Sequence, residues 1–245
     1  MANIMVLGGT GGIGQAVVRE FSLNPNGNVI YFSYGLNHKA NIVRAIEKEV
    51  IDNGNTVESF FLADDLGLER IQDIIPNAML SGRSGLDHFV NCIGVIRDRT
   101  LKNMSEFEID HVIDVNVKLM IYSAKAALPF MNQGGSMTFI SSVIGDIGGF
   151  GQTQYAASKA AIEAFTKSLA METARNKIRV NCVRPSIVNT GIFNNLTAEQ
   201  IQKLVDRTLM GRMATPQEIA KVIKFVAVEG TYMTGNVIPC TGGFH

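Results

Sequence analysis

The chain lacks tryptophan, has only three cysteines among its 245 residues, and carries few charges. Its 22 basic and 22 acidic residues cancel. The basic surface expected of a protein that binds nucleic acid or an anionic membrane is therefore missing. Charged residues make up 18% of the chain, against about 25% in ordinary domains. This low fraction predicts that a partner subunit covers part of the apolar surface.

Other absences concern the compartment and metal sites. No apolar run reaches the ~18 residues of a membrane helix, and the first residues lack the basic stretch of a secretion signal. Cys92, Cys182 and Cys240 are odd in number and far apart, which argues against disulfides and favours a reducing compartment, the cytoplasm. The histidines show no ligand spacing, so no metal site is predicted.

The chain does contain a regular alternation of two patterns. Short, β-branched apolar runs are each followed by a longer segment with helical spacing. This order predicts one α/β domain over residues 1–245, a doubly wound Rossmann-type fold with about seven parallel strands and helices on both faces. The predicted strands are 4–7, 29–32, 57–62, 89–90, 137–140, 179–183 and 237–238, and the predicted helices are 13–23, 37–53, 67–81, 105–131, 153–175 and 216–228.

A glycine-rich loop, residues 8–14, follows the first predicted strand and leads directly into a helix. Glycines allow a tight turn and close approach of a pyrophosphate, and the free N–H groups of the helix N-terminus stabilise its charge. The loop predicts a dinucleotide site. Alone, it would also fit a methyltransferase or a flavoprotein.

The end of the second strand indicates which dinucleotide binds. Ser33 lies where a carboxylate would be expected to hold the adenosine ribose, about 20 residues past the glycine loop. Without that carboxylate a 2′-phosphate is not repelled, and His38 and Lys39 follow closely. The sequence therefore predicts NADP(H) in preference to NAD(H).

Tyr155 and Lys159 are the most specific chemical signal. Residues four apart share one helix face, so the phenol and the ammonium lie one turn apart. A nearby cation stabilises phenolate, which makes the pair a candidate general acid. An isolated pair would more simply be a core tyrosine and a surface lysine, but Ser142 follows the strand at 137–140. Asn116 lies among apolar neighbours as either a structural lock or part of a polar relay.

These motifs together resemble the short-chain dehydrogenase/reductase family in its compact single-domain form. The glycine loop matches the family's Gly-xxx-Gly-x-Gly pattern, and the catalytic tetrad is matched in order and spacing. The catalytic residues that the resemblance implies are Asn116, Ser142, Tyr155 and Lys159. The cofactor contacts that it implies are Gly8, Gly12, Ile13, Gly14, Ser33, Asp65, Leu66, Asn91, Gly94, Tyr155, Lys159, Pro185, Val188 and Thr190.

The resemblance also implies a role for each catalytic residue. Tyr155 would donate a proton to the substrate carbonyl, while Lys159 lowers the pKa of that phenol and holds the nicotinamide ribose. Ser142 would donate to the developing oxyanion. Asn116 would keep a water in the proton relay. An apolar segment at about 191–211, which we call the lid, would cover the substrate with Ile192, Phe193, Leu196 and Leu209.

Three positions depart from the family pattern. Leu7 replaces a threonine whose hydroxyl would stabilise the turn at Asn91. Cys92 and Ile93 replace Asn-Ala, which changes the local packing. Ser186 replaces a glycine beside the nicotinamide.

The segment 94–101 resembles that of 3-oxoacyl-(acyl carrier protein) reductases, so the predicted substrate is a small or carrier-bound 3-oxoacyl thioester or a similar β-keto compound. A free ketone or alcohol of sugar, steroid or polyol type is the alternative, and a non-catalytic dinucleotide sensor is a further one. The segment 131–135 lacks the basic residues of carrier-binding relatives, although Arg175 and Lys177 remain. Small apolar residues on the helices near Asn116 and Tyr155 predict a homotetramer.

Overall fold

The central sheet positions everything else in the molecule. The computed structural model describes residues 1–23, 27–35, 40–62, 71–80, 85–191, 193 and 196–245. Seven parallel strands form one sheet in the order β3-β2-β1-β4-β5-β6-β7, which confirms the predicted fold class. The strands are β1 Asn3–Leu7, β2 Val29–Tyr34, β3 Thr56–Phe61, β4 Leu86–Asn91, β5 Met131–Ile140, β6 Arg179–Pro185 and β7 Val237–Cys240.

Helices cover both faces of this sheet. Alternate residues of β1 enter opposite cores: Met5 and Leu7 pack into one, Ile4 and Val6 into the other. A strand that is buried on both faces consists of a continuous run of apolar residues, which is why the sequence predicted β1. The helices are α1 Gly12–Ser22, α2 Ala40–Asp52, α3 Ile71–Leu80, α4 Glu106–Ile113, α5 Leu119–Ala127, α6 Ile144–Ile147, α7 Thr153–Thr173, α8 Ala198–Val205 and α9 Pro216–Lys224.

The segment predicted as one helix over 105–131 is interrupted. A π-helical turn, Asp114–Lys118, separates α4 from α5 and contains Asn116. Such wide turns occur often at functional sites. The lid, predicted without regular structure, contains α8, which begins with a capping box between Thr197 and Gln200.

Candidate active site

A cavity of about 740 Å³ opens where β4, β5 and β6 end. This is the edge at which a doubly wound sheet binds its ligands. The cavity brings together half of the predicted site residues. Those that line it are Ile13, Gly94, Ser142, Tyr155, Lys159, Pro185, Val188 and Thr190.

The glycine loop is packed so tightly that side chains are excluded. Gly8 has a φ of +73°, a left-handed conformation that favours glycine. A Cβ on Gly14 would lie 2.0 Å from the carbonyl oxygen of Gly8, and one on Gly12 would lie 2.4 Å from Cβ of Thr190. The Thr10 hydroxyl is buried in this loop and has no hydrogen-bond partner among the described residues. A bare backbone, a helix N-terminus and an unpartnered hydroxyl fit the phosphates of a dinucleotide.

Ser33 has a structural contact that the sequence did not predict. Its side chain is buried, and its Oγ accepts a hydrogen bond from the Gly8 N–H at 2.8 Å. The hydroxyl thus fixes the first glycine of the loop, and its contact with the adenosine ribose stays a prediction. The remaining predicted residues of the adenosine side, His38, Lys39, Asp65 and Leu66, lie outside the described residues.

The turn after β4 lies beside Leu7, which replaces the threonine of the family pattern. Asn91 Oδ1 accepts from the Ile93 N–H at 2.9 Å. The Nδ2 group of Asn91 is buried and unpartnered within the part of the chain that the structure describes. Leu7, fully buried beside this turn, offers no hydroxyl. The loss of a stabilising hydroxyl contact at this turn stays a prediction.

Tyr155, Ser142 and Lys159 meet at the base of the cavity. The Tyr155 phenol and the Ser142 hydroxyl both line the cavity, and Ser142 Oγ accepts from the Ile144 N–H at 3.2 Å. Lys159 Nζ donates to the Ile140 carbonyl at 3.1 Å and lies 5.6 Å from the Tyr155 ring centroid. The structure therefore unites the serine, tyrosine and lysine of the predicted tetrad.

Asn116 is held from several sides. Its Oδ1 accepts from the Val95 N–H at 2.8 Å, and its Nδ2 donates to the Val95 carbonyl and to the Ser158 hydroxyl, each at 3.0 Å. Both amide hydrogens are therefore engaged. These contacts correspond to the structural lock that the sequence left open: Asn116 joins the loop after β4 to α7.

Burial shifts the pKa values of Tyr155 and Lys159. It raises the pKa of Tyr155 to about 12; the hydrogen bond with Ser142 opposes this shift and the charge of Asp98 adds to it. It lowers the pKa of Lys159 to about 8. The expected lowering of the Tyr155 pKa is thus absent in the chain alone, because desolvation dominates. The phenol holds its proton at neutral pH.

Comparison with known proteins identifies the family. A family model described as "Enoyl-(Acyl carrier protein) reductase" matches residues 8–245. The chain is 32% identical to the 3-oxoacyl-[acyl-carrier-protein] reductase FabG of Buchnera aphidicola subsp. Baizongia pistaciae, over 98% of this chain and 96% of that protein. The chain belongs to the short-chain dehydrogenase/reductase family.

Two further similarities come from other members and neighbours. Over 63% of this chain and 60% of the relative, the identity to the Homo sapiens (3R)-3-hydroxyacyl-CoA dehydrogenase is 37%. A solved blue fluorescent protein from a metagenomic library, in complex with NADPH, superposes with a TM-score of 0.91 at 26% identity. That superposition covers 99% of this chain and 97% of the other.

This dehydrogenase/reductase has polar contacts at its cavity that the sequence analysis missed. Gln152 Nε2 donates to Asp98 at 2.9 Å, and Gln154 donates to the Arg97 carbonyl. These bonds fasten the loop after β4 to the start of α7. Arg97 and Asp98, within the segment 94–101, were the only sequence signal for these contacts. Their partners could not be predicted because they lie more than fifty residues away along the chain.

An ion-pair network, which the sequence did not predict either, supports the end of β5 just before Ser142. Glu163 Oε1 accepts from the Ser141 hydroxyl at 2.8 Å. Arg184 binds both carboxylate oxygens of Glu163, at 2.8 and 2.7 Å, and reaches Asp146 at 2.6 Å. Glu163 lies one turn beyond Lys159 on the same helix face, so the network joins α7 to the ends of β5 and β6.

The lid contributes only some of its predicted apolar residues. Phe193 and Leu196 line the cavity. Leu209 does not line it and is 81% exposed, which corrects the expectation that it faces the substrate. Ile192 lies outside the described residues. Phe244, near the C-terminus, lines the cavity instead.

Neither a membrane segment nor a metal cluster is found in the described part of the chain. No helix there is long and apolar enough to cross a bilayer. Nor do three or more histidine, cysteine or acidic side chains in that part come together as metal ligands.

Proposed function

We propose that this oxidoreductase reduces the carbonyl group of a 3-oxoacyl thioester, or of a similar β-keto compound, to the 3-hydroxy product. The observation that carries the proposal is the meeting of the Tyr155 and Ser142 hydroxyls in one cavity, with the Nζ of the buried Lys159 5.6 Å from the Tyr155 ring. Two hydroxyl groups at one point suit a carbonyl oxygen that gains negative charge and then a proton.

Bound nicotinamide would supply the hydride. The glycine loop and the α1 N-terminus would hold the pyrophosphate, and Lys159 would hold the nicotinamide ribose. Ser142 would stabilise the developing oxyanion, and Tyr155 would transfer its proton there. Because burial keeps the Tyr155 pKa at about 12, the phenol is protonated and ready to act as an acid in the reductive direction.

The relatives' names support the substrate class. By their names, these relatives act on a 3-oxoacyl carrier thioester and on a 3-hydroxyacyl-CoA thioester. Both substrates are thioesters with a keto or hydroxyl group on the β carbon. The cavity offers apolar walls for an acyl chain, among them Ile96, Val143 and Phe193. Arg175 and Lys177 are exposed cations, but they precede β6 and lie beside the start of β5, at the sheet edge opposite the cavity, so they do not support carrier docking at this cavity.

The test offers matched thioesters with NADPH. We expect reduction of acetoacetyl-pantetheine thioester, and faster reduction of the carrier-bound form if the carrier is recognised. Crotonyl-pantetheine, an enoyl thioester, should not be reduced. Turnover of the enoyl thioester alone, or of cyclic ketones alone, would overturn the substrate proposal. No oxidation of NADPH with any carbonyl compound would favour the dinucleotide sensor.

We propose NADP(H) as the preferred cofactor because Ser33 presents no carboxylate to a 2′-phosphate. The Ser33 hydroxyl is buried and accepts a hydrogen bond from the Gly8 N–H. The side chain at this position near the end of β2 is therefore uncharged. We expect kcat/KM to be higher with NADPH than with NADH. A preference for NADH above about tenfold, which corresponds to ~1.4 kcal/mol, would contradict this.

We propose a homotetramer in which α7 contributes to an interface. On α5, Ala124 and Ala127 are buried within their own chain, so these small residues do not face a partner subunit. Small or apolar residues on one side of α7 are exposed; they are Ala157, Ala160, Ala164 and Met171. Replacing Ala164 with arginine should dissociate the assembly. A parent sedimentation mass near 26.6 kDa would refute it.

We also propose a cytoplasmic location. All three cysteines are free thiols, and burial raises the pKa of Cys92 to about 12 and that of Cys182 to about 11. Such thiols are protonated and unreactive at neutral pH. Fractionation of cells should recover the protein with its thiols reduced; recovery as a disulfide-linked species would contradict the location.

A further inference from the structure

The C-terminal tail, which we define as residues 241–245, is fastened to the lid. The Arg207 guanidinium lies 4.4 Å from the Phe244 ring centroid. Arg207 Nε donates to the His245 carbonyl at 2.7 Å, and the His245 N–H donates back to the Arg207 carbonyl at 3.0 Å. The Met210 N–H also donates to the Gly242 carbonyl at 3.1 Å. The apolar residues of α8, Ile201, Leu204 and Val205, are only half-buried, so these contacts add to the attachment of the lid.

The other end of the tail is fastened to the cofactor side of the cavity. The Ser186 hydroxyl donates to the Thr241 carbonyl at 2.7 Å. Ser186 itself lines the cavity, one residue beyond β6. The glycine that the family pattern has at this position could not make this bond. The tail therefore runs between two fixed points, one beneath the cofactor region and one on the lid.

The ring of Phe244 lies between these attachments, in the wall of the cavity. It is half-buried and lines the cavity together with Leu204 and Arg207. A guanidinium over one ring face holds the ring by a cation–π contact and limits its rotation toward solvent. A tether alone would need only the backbone bonds; the aromatic side chain adds an apolar surface for a ligand.

We propose that Phe244 is a specificity-determining residue that sets which acyl chains the cavity accepts, with Ser186 and Arg207 as its positioning residues. The proposal rests on the proposed function, since an acyl chain is the substrate part that an apolar wall would contact. It predicts selectivity by chain length, because a pocket contact with one or two methylenes changes kcat/KM on the order of 10–200-fold.

The first test compares chain lengths. For the parent, Phe244→Ala and Phe244→Tyr, kcat/KM is measured with acetoacetyl- and 3-oxodecanoyl-pantetheine. Phe244→Ala should raise the long-to-short ratio by about tenfold, because the cavity gains length. Phe244→Tyr keeps the ring and should keep the ratio. Tyr232→Ala, which removes a fully exposed ring outside the cavity, is the matched control. A folded Phe244→Ala enzyme with the parent ratio would overturn the proposal.

The second test needs no substrate. Hydrogen exchange of residues 198–211 is followed in Arg207→Gln and in Arg212→Gln, whose guanidinium binds Glu218 at 2.6 Å and not the tail. Arg207→Gln should speed lid exchange about tenfold, from loss of the stack and one hydrogen bond. Arg212→Gln should not. Unchanged exchange in Arg207→Gln would overturn the positioning role, even if no thioester proved to be a substrate. If only free ketones react, the chain-length series is run with them.

Discussion

The cluster of Ser142, Tyr155 and Lys159, which we propose to be catalytic, and the lid line the same cavity but are held in place in opposite ways. Tyr155 and Lys159 are 9% and 4% exposed, and Lys159 is fixed by a hydrogen bond to the backbone of β5. The lid helix α8 buries no residue, and Leu209 in the lid is 81% exposed. The core fixes the position of the cluster, whereas contacts at the surface fix the position of the lid.

Because of this difference, the proposed chemistry and the substrate selectivity depend on separate regions of the molecule. A buried polar group that loses its partner costs about 1–3 kcal/mol, so the catalytic residues tolerate little change. Surface segments tolerate substitution, usually within about 0.5 kcal/mol. The same scaffold can therefore keep one reaction while the lid and the tail alter the substrate.

The largest effect is expected at the centre of the cluster. Tyr155→Phe removes the transferable proton but keeps the ring volume. We expect kcat to fall by roughly 10²–10⁴-fold, the range for general acid catalysis, with unchanged fold and cofactor affinity. Stopped-flow or steady-state NADPH oxidation measures the loss, and Tyr232→Phe at the surface is the control. A near-normal kcat would remove Tyr155 from its assigned role.

Lys159→Met should separate stability from activity within the same cluster. The Lys159 pKa of about 8 lies below the ordinary 10.5. The unfolded chain therefore binds more protons between these pH values, and the stability of the parent rises with pH across that window. Below pH 8 the full cost of the buried charge is present, on the order of 3 kcal/mol.

The variant should thus be more stable than the parent at pH 7, by up to about 3 kcal/mol, while turnover and cofactor affinity collapse. Urea unfolding at pH 7 and pH 10 measures both free energies. The advantage should shrink at pH 10. Lys167→Met, an exposed lysine on the same helix, should show no such pH dependence. A destabilised variant at pH 7 would contradict the burial argument.

Local spacing explains what the sequence predicted correctly. The four-residue spacing of Tyr155 and Lys159 is a property of one helix turn, and β1 was evident because it is apolar on both faces. The polar, glycine-containing start of β5, which is partly exposed, was missed because it carries no strand pattern. The capping box at Thr197 would have indicated α8.

Contacts between distant segments explain the features that the sequence did not predict. The π-helical turn at Asn116 depends on bonds to Val95 and Ser158, which no local pattern encodes. The contact of Arg207 with Phe244 likewise joins residues that are 37 positions apart. Side-chain direction at such points is decided by tertiary packing, so the tail could not be assigned to the cavity from its sequence.

Asp98 lies between the two regions and should have an intermediate effect. It is exposed at the cavity rim, yet its charge raises the pKa of Tyr155. Asp98→Asn removes a negative charge near the phenolate, so the Tyr155 pKa should fall. In alcohol oxidation, where phenolate acts as the base, the rise of kcat/KM with pH should move to lower pH. Asp110→Asn, an exposed residue of α4, should leave the profile in place, and an unmoved profile in Asp98→Asn would argue against the coupling.

The smallest effect is expected at Leu209, where the sequence predicted a substrate contact. The side chain points away from the cavity and lies beside Gly243 of the tail. Leu209→Ser should therefore change kcat/KM less than about twofold, since an exposed substitution usually shifts free energies by no more than ~0.5 kcal/mol. Phe193→Ala, within the same lid but lining the cavity, is the matched comparison and should raise KM for the acyl substrate severalfold. If Leu209→Ser impaired turnover as much as Phe193→Ala, lid selectivity would depend on the whole segment and not on the side chains that face the cavity.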